Sequence, residues 1–111
     1  MKPEVPEVSA EEAFARSAGG EAVILDVREP GEWAAGHIPG ALHIPLGEFE
    51  ARWHELRASG SVVAVCRSGN RSAIAAKALR SVGVDAANLS GGMKAWAGAE
   101  LPLHAPNARV A

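Results

Sequence analysis

Two short apolar runs constrain this chain more than anything else in it: Ala22-Val23-Ile24-Leu25-Asp26-Val27, and Val62-Val63-Ala64-Val65 ending at Cys66. A strand apolar at nearly every position offers no face to water, so both faces must be covered, as in a parallel sheet between two layers of helices. Helical patterns fall between these runs. The alternation gives an α/β architecture with three layers and a mainly parallel sheet. At 111 residues, 48% of them hydrophobic, the chain makes one domain with one core.

The remaining segments follow the same logic. Val5 to Val8 reads as a short strand that Pro6 confines to an edge of the sheet. Ser9 and Glu12 have the spacing of a capping box, opening a helix to about Ser17 that Gly19-Gly20 ends. Pro30 to Gly36 supplies one or two helical turns, with proline at the start and glycine at the end. Ala41 to Ile44 is another short strand. Leu46, Phe49, Trp53 and Leu56 have the spacings of an amphipathic helix over Leu46 to Ala58. Ser72 is expected to cap and open a helix running to Val82, Ala86 to Leu89 forms the last strand, and Met93 to Ala97 the last helix. Residues 1–98 are therefore read as the domain and residues 99–111 as a proline-punctuated surface tail.

Chemistry concentrates where the Val62 run stops. Cys66 is the only cysteine, and Arg67-Ser68-Gly69-Asn70-Arg71-Ser72 follows it before an alanine-rich helix. Backbone N–H groups left free in such a loop and in the first helical turn converge on one concavity, with the helix dipole behind them. Arg67 and Arg71 add positive charge, so a sulfur at the rim is biased toward thiolate, its nucleophilic form. Most lone cysteines are small buried hydrophobes. Here every flanking residue from Arg67 to Ser72 is polar or glycine, which favours the nucleophile.

Several classes of function drop away. The net charge is −2 with basic residues dispersed, which leaves no footprint for nucleic acid or an anionic membrane. No apolar run approaches the length of a membrane span, and the N-terminal residues carry no secretory h-region, so a cytoplasmic location is expected. A single cysteine forms no internal disulfide and has no resolving partner. His37, His43, His54 and His104 lack metal-ligand spacing, and neither a metal nor a cofactor is expected.

Four segments carry a family likeness: Asp26-Val27-Arg28-Glu29-Pro30-Gly31-Glu32-Trp33, Gly36-His37-Ile38-Pro39-Gly40-Ala41, Val65 to Ser72, and Leu89-Ser90-Gly91-Gly92-Met93-Lys94-Ala95-Trp96. In order and spacing, from about Val8 to Trp96, the chain resembles a single-domain rhodanese, a thiosulfate sulfurtransferase. The resemblance implies a five-stranded parallel sheet and transfer of sulfane sulfur from thiosulfate to cyanide or a thiol through a Cys66 persulfide. It implies that Arg67, Ser68, Gly69, Asn70, Arg71 and Ser72 bind the donor.

Asp26, Arg28, Gly91, Gly92 and Trp96 are candidates for support around that loop. Asp26 and Arg28 read first as an ion pair, with each other or with Glu29 or Glu32, and Gly91-Gly92 as a point of close backbone packing. Trp33 and Trp53 are expected in the core, whereas the resemblance puts Trp96 near the pocket as a wall against water. Two other readings compete. A rhodanese-like module could pass sulfur only within a protein relay, or merely dock a partner, with little free turnover. A cysteine-loop phosphatase or arsenate reductase needs Cys and Arg six positions apart, and Arg71 is five after Cys66.

Overall fold

The computed structural model describes residues 5–105. Its sheet has five strands, β1 (Glu7–Val8), β2 (Ala22–Asp26), β3 (Leu42–His43), β4 (Ser61–Val65) and β5 (Ala86–Leu89). They lie in the order β1-β5-β4-β2-β3, and every neighbouring pair is parallel. This is the five-stranded parallel α/β sheet expected. β4 sits at its centre, so the residue that follows it emerges in the middle of the carboxyl rim, where open α/β sheets place their ligands.

Side chains alternate between two cores. Ile24, Val63, Val65, Ala87 and Leu89 face one side, against helices α1 (Ala10–Ala18) and α5 (Gly92–Gly98). Leu25, Val62, Ala64, Cys66 and Ala86 face the other, against Ala75, Ala76 and Leu79 of a long helix. The period of two in the pleat thus explains why both faces of each run are apolar. Ser9 caps α1, its hydroxyl accepting from Glu12 N–H at 3.0 Å, a contact of about 1 kcal/mol.

Four sequence expectations change. The helix after the reactive loop, here numbered in chain order, is α4 (Asn70–Ser81); it opens two residues before Ser72, with Gly69 as its N-cap. Ser72 is buried in its first turn rather than capping it. Leu46 to Ala58 is not one helix but a 3₁₀ turn (Leu46–Glu48), a single α turn, α3 (Phe49–Arg52), and a second 3₁₀ turn (Trp53–Leu56). The spacings 3, 4, 3 between Leu46, Phe49, Trp53 and Leu56 already contain that break, because a 3₁₀ turn aligns residues three apart.

Trp33, on α2 (Pro30–Ala35), is not core. It is half-buried, its ring stacked between those of His37 at 3.6 Å and His43 at 4.5 Å. Trp53 is half-buried against the α4-side core and carries the Arg57 guanidinium 5.0 Å above its ring. Finally, residues 99–105, read as a surface tail, do lie at the surface, none of them buried, but they are tied to the domain. Leu101 and Leu103 pack on the α1/α5 core, and His104 exchanges two backbone hydrogen bonds with His37, at 2.7 and 3.3 Å. The rest of the expected tail lies outside the described residues.

Candidate active site

Cys66 follows the last residue of β4, and its side chain turns toward α4. Only 1% of the residue is exposed, with Val27, Ala64 and Ala75 in the same core cluster. Its sulfur is not sealed in hydrocarbon, however. Gly69 N–H donates to Sγ at 3.1 Å, and the Ser72 hydroxyl lies 3.2 Å away. The backbone amides of Ser72 and Ser68 also point to it. Burial pushes the thiol's pKa up, but the Ser72 hydroxyl and these three amides outweigh it and hold Cys66 below its ordinary value.

The loop takes this shape because glycine permits it. Gly69 has φ +116°, a region L side chains avoid, and this turns the chain into α4 with the sulfur inside the curl. The second constraint comes from Gly91 and Gly92, whose φ values are +78° and +61°. They bring the start of α5 against the loop, so that Met93 N–H donates to Cys66 C=O at 2.8 Å and Lys94 N–H to Arg67 C=O at 3.1 Å. A Cβ on Gly92 would sit 2.6 Å from the Arg67 carbonyl carbon. Here the close backbone packing read from the Gly91-Gly92 pair is literal.

The charged residues are placed differently from the simplest expectation. Arg71 does not face the sulfur alone: both of its terminal nitrogens bond the Glu32 carboxylate, at 2.7 and 2.9 Å. Arg71 holds the Glu32 carboxyl down to about 2 despite burial, with help from the Glu29 backbone. The Glu32 bond and charge raise Arg71 in turn, and the Cys66 charge adds to that. Arg67 and Asn70 also lie in the curl, at the loop's start and at the first residue of α4.

Asp26 and Arg28 bond each other and do not reach the sulfur. Both are fully buried at the end of β2, with Arg28 Nη2 2.8 Å from Asp26 Oδ2. Arg28 spends its other donors on Glu32 C=O at 3.2 Å and Gly36 C=O at 2.8 Å. The pair therefore braces the middle and the C-terminal end of α2, which carries Glu32 to Arg71.

Trp96 is corrected outright. It belongs to the opposite core, edge-on to Phe14 at 5.9 Å, with its indole N–H on Pro102 C=O at 2.8 Å. Trp96 sits on α5, which covers the α1 side of the sheet, whereas the pleat of β4 turns Cys66 to the α4 side. Two participants escaped the sequence reading. Glu32 was visible only as one possible ion-pair partner for Asp26 or Arg28, and Asn88, buried on β5, bonds the Ser72 hydroxyl at 2.6 Å. A lone polar residue inside a four-residue strand was the signal for the second. Among the described residues, no cluster of His, Cys, Asp or Glu is arranged to hold a metal.

Comparison with known proteins agrees with this geometry. The family model of the rhodanese-like domain matches residues 9–99. A protein of Allochromatium vinosum named a sulfurtransferase is 41% identical over 104 residues, covering 92% of this chain and 97% of its own length. YrkF of Bacillus subtilis, provisionally named a sulfur carrier protein, is 41% identical over 96 residues, 85% of this chain, which spans only about half of that relative (52%). The crystal structure of thiosulfate sulfurtransferase from Pseudomonas aeruginosa superposes with TM-score 0.79 at 33% identity, over 95% of this chain and 21% of that one.

Proposed function

The chain belongs to the rhodanese-like domain family, and on that premise we propose that it is a sulfurtransferase whose Cys66 carries sulfane sulfur as a persulfide. The observation that carries this reading is a single thiol at the centre of the sheet's carboxyl rim, bonded by main-chain amides and held below the ordinary thiol pKa. The Cys66 thiolate attacks the outer sulfur of thiosulfate, the Sγ–S bond forms as the S–S bond breaks, and sulfite departs with that bond's electrons. Cyanide or a cellular thiolate then takes the outer sulfur and returns the thiolate. Charge balances in both half-reactions without a proton, so an ionised sulfur needs no general base beside it.

The amides that bond Sγ are suited to an anionic persulfide, in the way an oxyanion hole serves developing negative charge. Ser68, Gly69 and Ser72 supply donors, and Arg67, Asn70 and Arg71 form the polar lip that receives the donor anion. Because Glu32 already neutralises much of Arg71, the dianionic donor meets that guanidinium as a shared partner. The bonding of Arg71 to Glu32, with the loop one residue short, speaks against a phosphatase.

A second reading has support of its own: the protein passes sulfur within a relay, since YrkF is provisionally named a sulfur carrier and Cys66 is almost wholly buried. Work in a reducing, cytoplasmic compartment fits an unpaired functional thiol. Intact mass spectrometry after thiosulfate exposure tests the intermediate. One added sulfur on wild type and none on Cys66→Ser is the expected result; no added mass on wild type refutes it. Thiocyanate formed with cyanide then separates free turnover from relay.

A further inference from the structure

Asn88 bonds two of the three residues whose donors reach the sulfur, Gly69 and Ser72. It is 3% exposed and stands on β5 beside Ala64 of β4, on the face that Cys66 shares. Its amide Nδ2 donates to Gly69 C=O at 3.1 Å and to Glu7 Oε2 at 3.0 Å, while its Oδ1 faces the Ser72 hydroxyl at 2.6 Å. The orientation of this amide is fixed by chemistry. Flipped, its oxygen would confront a carbonyl and a carboxylate.

We propose that Asn88 is the positioning residue of the reactive loop, holding the Gly69 amide and the Ser72 hydroxyl on Sγ. The inference rests on the reading of Cys66 as a working thiolate.

Ser72 Oγ has one proton and two acceptors, Asn88 Oδ1 at 2.6 Å and Sγ at 3.2 Å. With a neutral thiol the proton sits on Asn88, the shorter bond. Once the sulfur is charged, a charge-assisted bond outweighs a neutral one and the proton turns to Sγ. Asn88 thereby holds the Ser72 oxygen beside Sγ. Its Oδ1 also competes with the thiolate for that proton, so positioning is its role only where it outweighs this competition, which an upward shift of the thiol's midpoint on its removal would show. Without it, a serine in a first helical turn is free to turn back onto its own helix's carbonyls. Gly69 is fixed in parallel: its carbonyl is tied to Asn88 while its N–H meets the sulfur.

The charged groups around this network are Glu7 on β1, Arg67 in the loop, and Arg71 with its Glu32 partner. Iodoacetamide alkylation of Cys66 as a function of pH reads the thiolate directly and does not require sulfur transfer. In the folded protein, Asn88→Leu, nearly isosteric, moves the midpoint upward by about one unit or more, the scale of a lost bond to a charged group. The same substitution in a Ser72→Ala background gives a smaller shift, because part of its effect passes through that hydroxyl. Repeating the pair on Glu7→Gln removes the carboxylate's charge from the comparison.

If Asn88→Leu does not fold, the wild type supplies the test. The side-chain amide resonances of Asn88 should titrate with the midpoint of Cys66 alkylation. An unchanged or lowered midpoint, equal shifts in both backgrounds, or amide resonances that stay flat through the thiol's titration would overturn the proposal. If wild type never gains sulfur from thiosulfate, the proposed function fails while these results still decide the role of Asn88.

Discussion

Gly92→Ala probes the contact that holds the reactive loop in register with the rest of the fold. Two costs are separable at this position. The backbone there has φ +61°, which for an L residue costs about 1–2 kcal/mol in any surroundings. A methyl group would also overlap the main chain of Cys66 and Arg67, both of them backbone neighbours with no soft side chain to yield. The start of α5 must then withdraw, weakening the Met93 and Lys94 hydrogen bonds, each worth about 1 kcal/mol. The expected loss is about 3–4 kcal/mol in chemical denaturation. Gly60→Ala is the control, since it has φ +74° and nothing within 4 Å of the added carbon, so it loses only the conformational part. A folded Gly92→Ala protein should also alkylate at Cys66 with an altered pH profile, because the loop moves at the residue that carries the sulfur. Equal destabilisation of the two variants, with Cys66 reactivity unchanged in both, would refute the claim that α5 clamps the loop.

Asp26→Asn should cost about 3 kcal/mol or more, since it leaves the fully buried Arg28 guanidinium without its counter-charge; urea denaturation measures it, and a loss under about 1 kcal/mol would show that the carbonyls of Glu32 and Gly36 suffice for Arg28. The Glu32–Arg71 pair predicts an acid dependence of definite sign. Glu32 sits at about 2 when folded against 4.5 ordinarily, so its stabilisation is complete above pH 4.5 and disappears as the pH falls toward 2. Because the pair is partly solvated, about 1 kcal/mol is expected. The stability difference between wild type and Glu32→Gln should shrink over that window, and a constant difference would contradict the pairing.

The sheet was legible because its signal is local and strong. Apolar runs such as Val62 to Val65 are too short for helices and too apolar for a surface strand, so their place between two layers followed directly. The same reasoning located Cys66 on the rim. It failed wherever an outcome depended on what lay across the fold. Trp96 and Cys66 belong to segments adjacent on the rim, yet they lie in opposite cores, and which face of the sheet α5 covers decides that. Arg71 looked like free positive charge because Glu32, 39 residues earlier, is brought to it only by the turn of α2. The proline-punctuated segment after α5 gives no sequence sign that Leu101 and Leu103 pack on the core and that the His37–His104 bridge fastens it to the loop after α2. Asn88 was missed because one polar residue in a short strand carries no periodicity.

The electrostatic design of the site differs in kind from the one its two arginines suggest. α4 has no side-chain cap: its N-cap is glycine, which leaves the first N–H groups of the helix without the usual oxygen acceptor. Sγ of Cys66 takes that place, accepting from the N-cap amide of Gly69 and from the amide of Ser72, the third helical residue. Serine, threonine or aspartate at position 69 would offer its own oxygen to those amides and compete with the sulfur. It would also have to adopt φ +116°. Glycine here therefore does two things, permitting the curl and keeping the helix end unsatisfied until the sulfur fills it. Negative charge on the sulfur is thus held by the Ser72 hydroxyl and by dipoles fixed in the main chain, while the Arg71 guanidinium is balanced by Glu32. Fixed dipoles do not have to be recruited or desolvated when charge moves onto an added sulfur atom, which suits the thiolate and persulfide states proposed for Cys66.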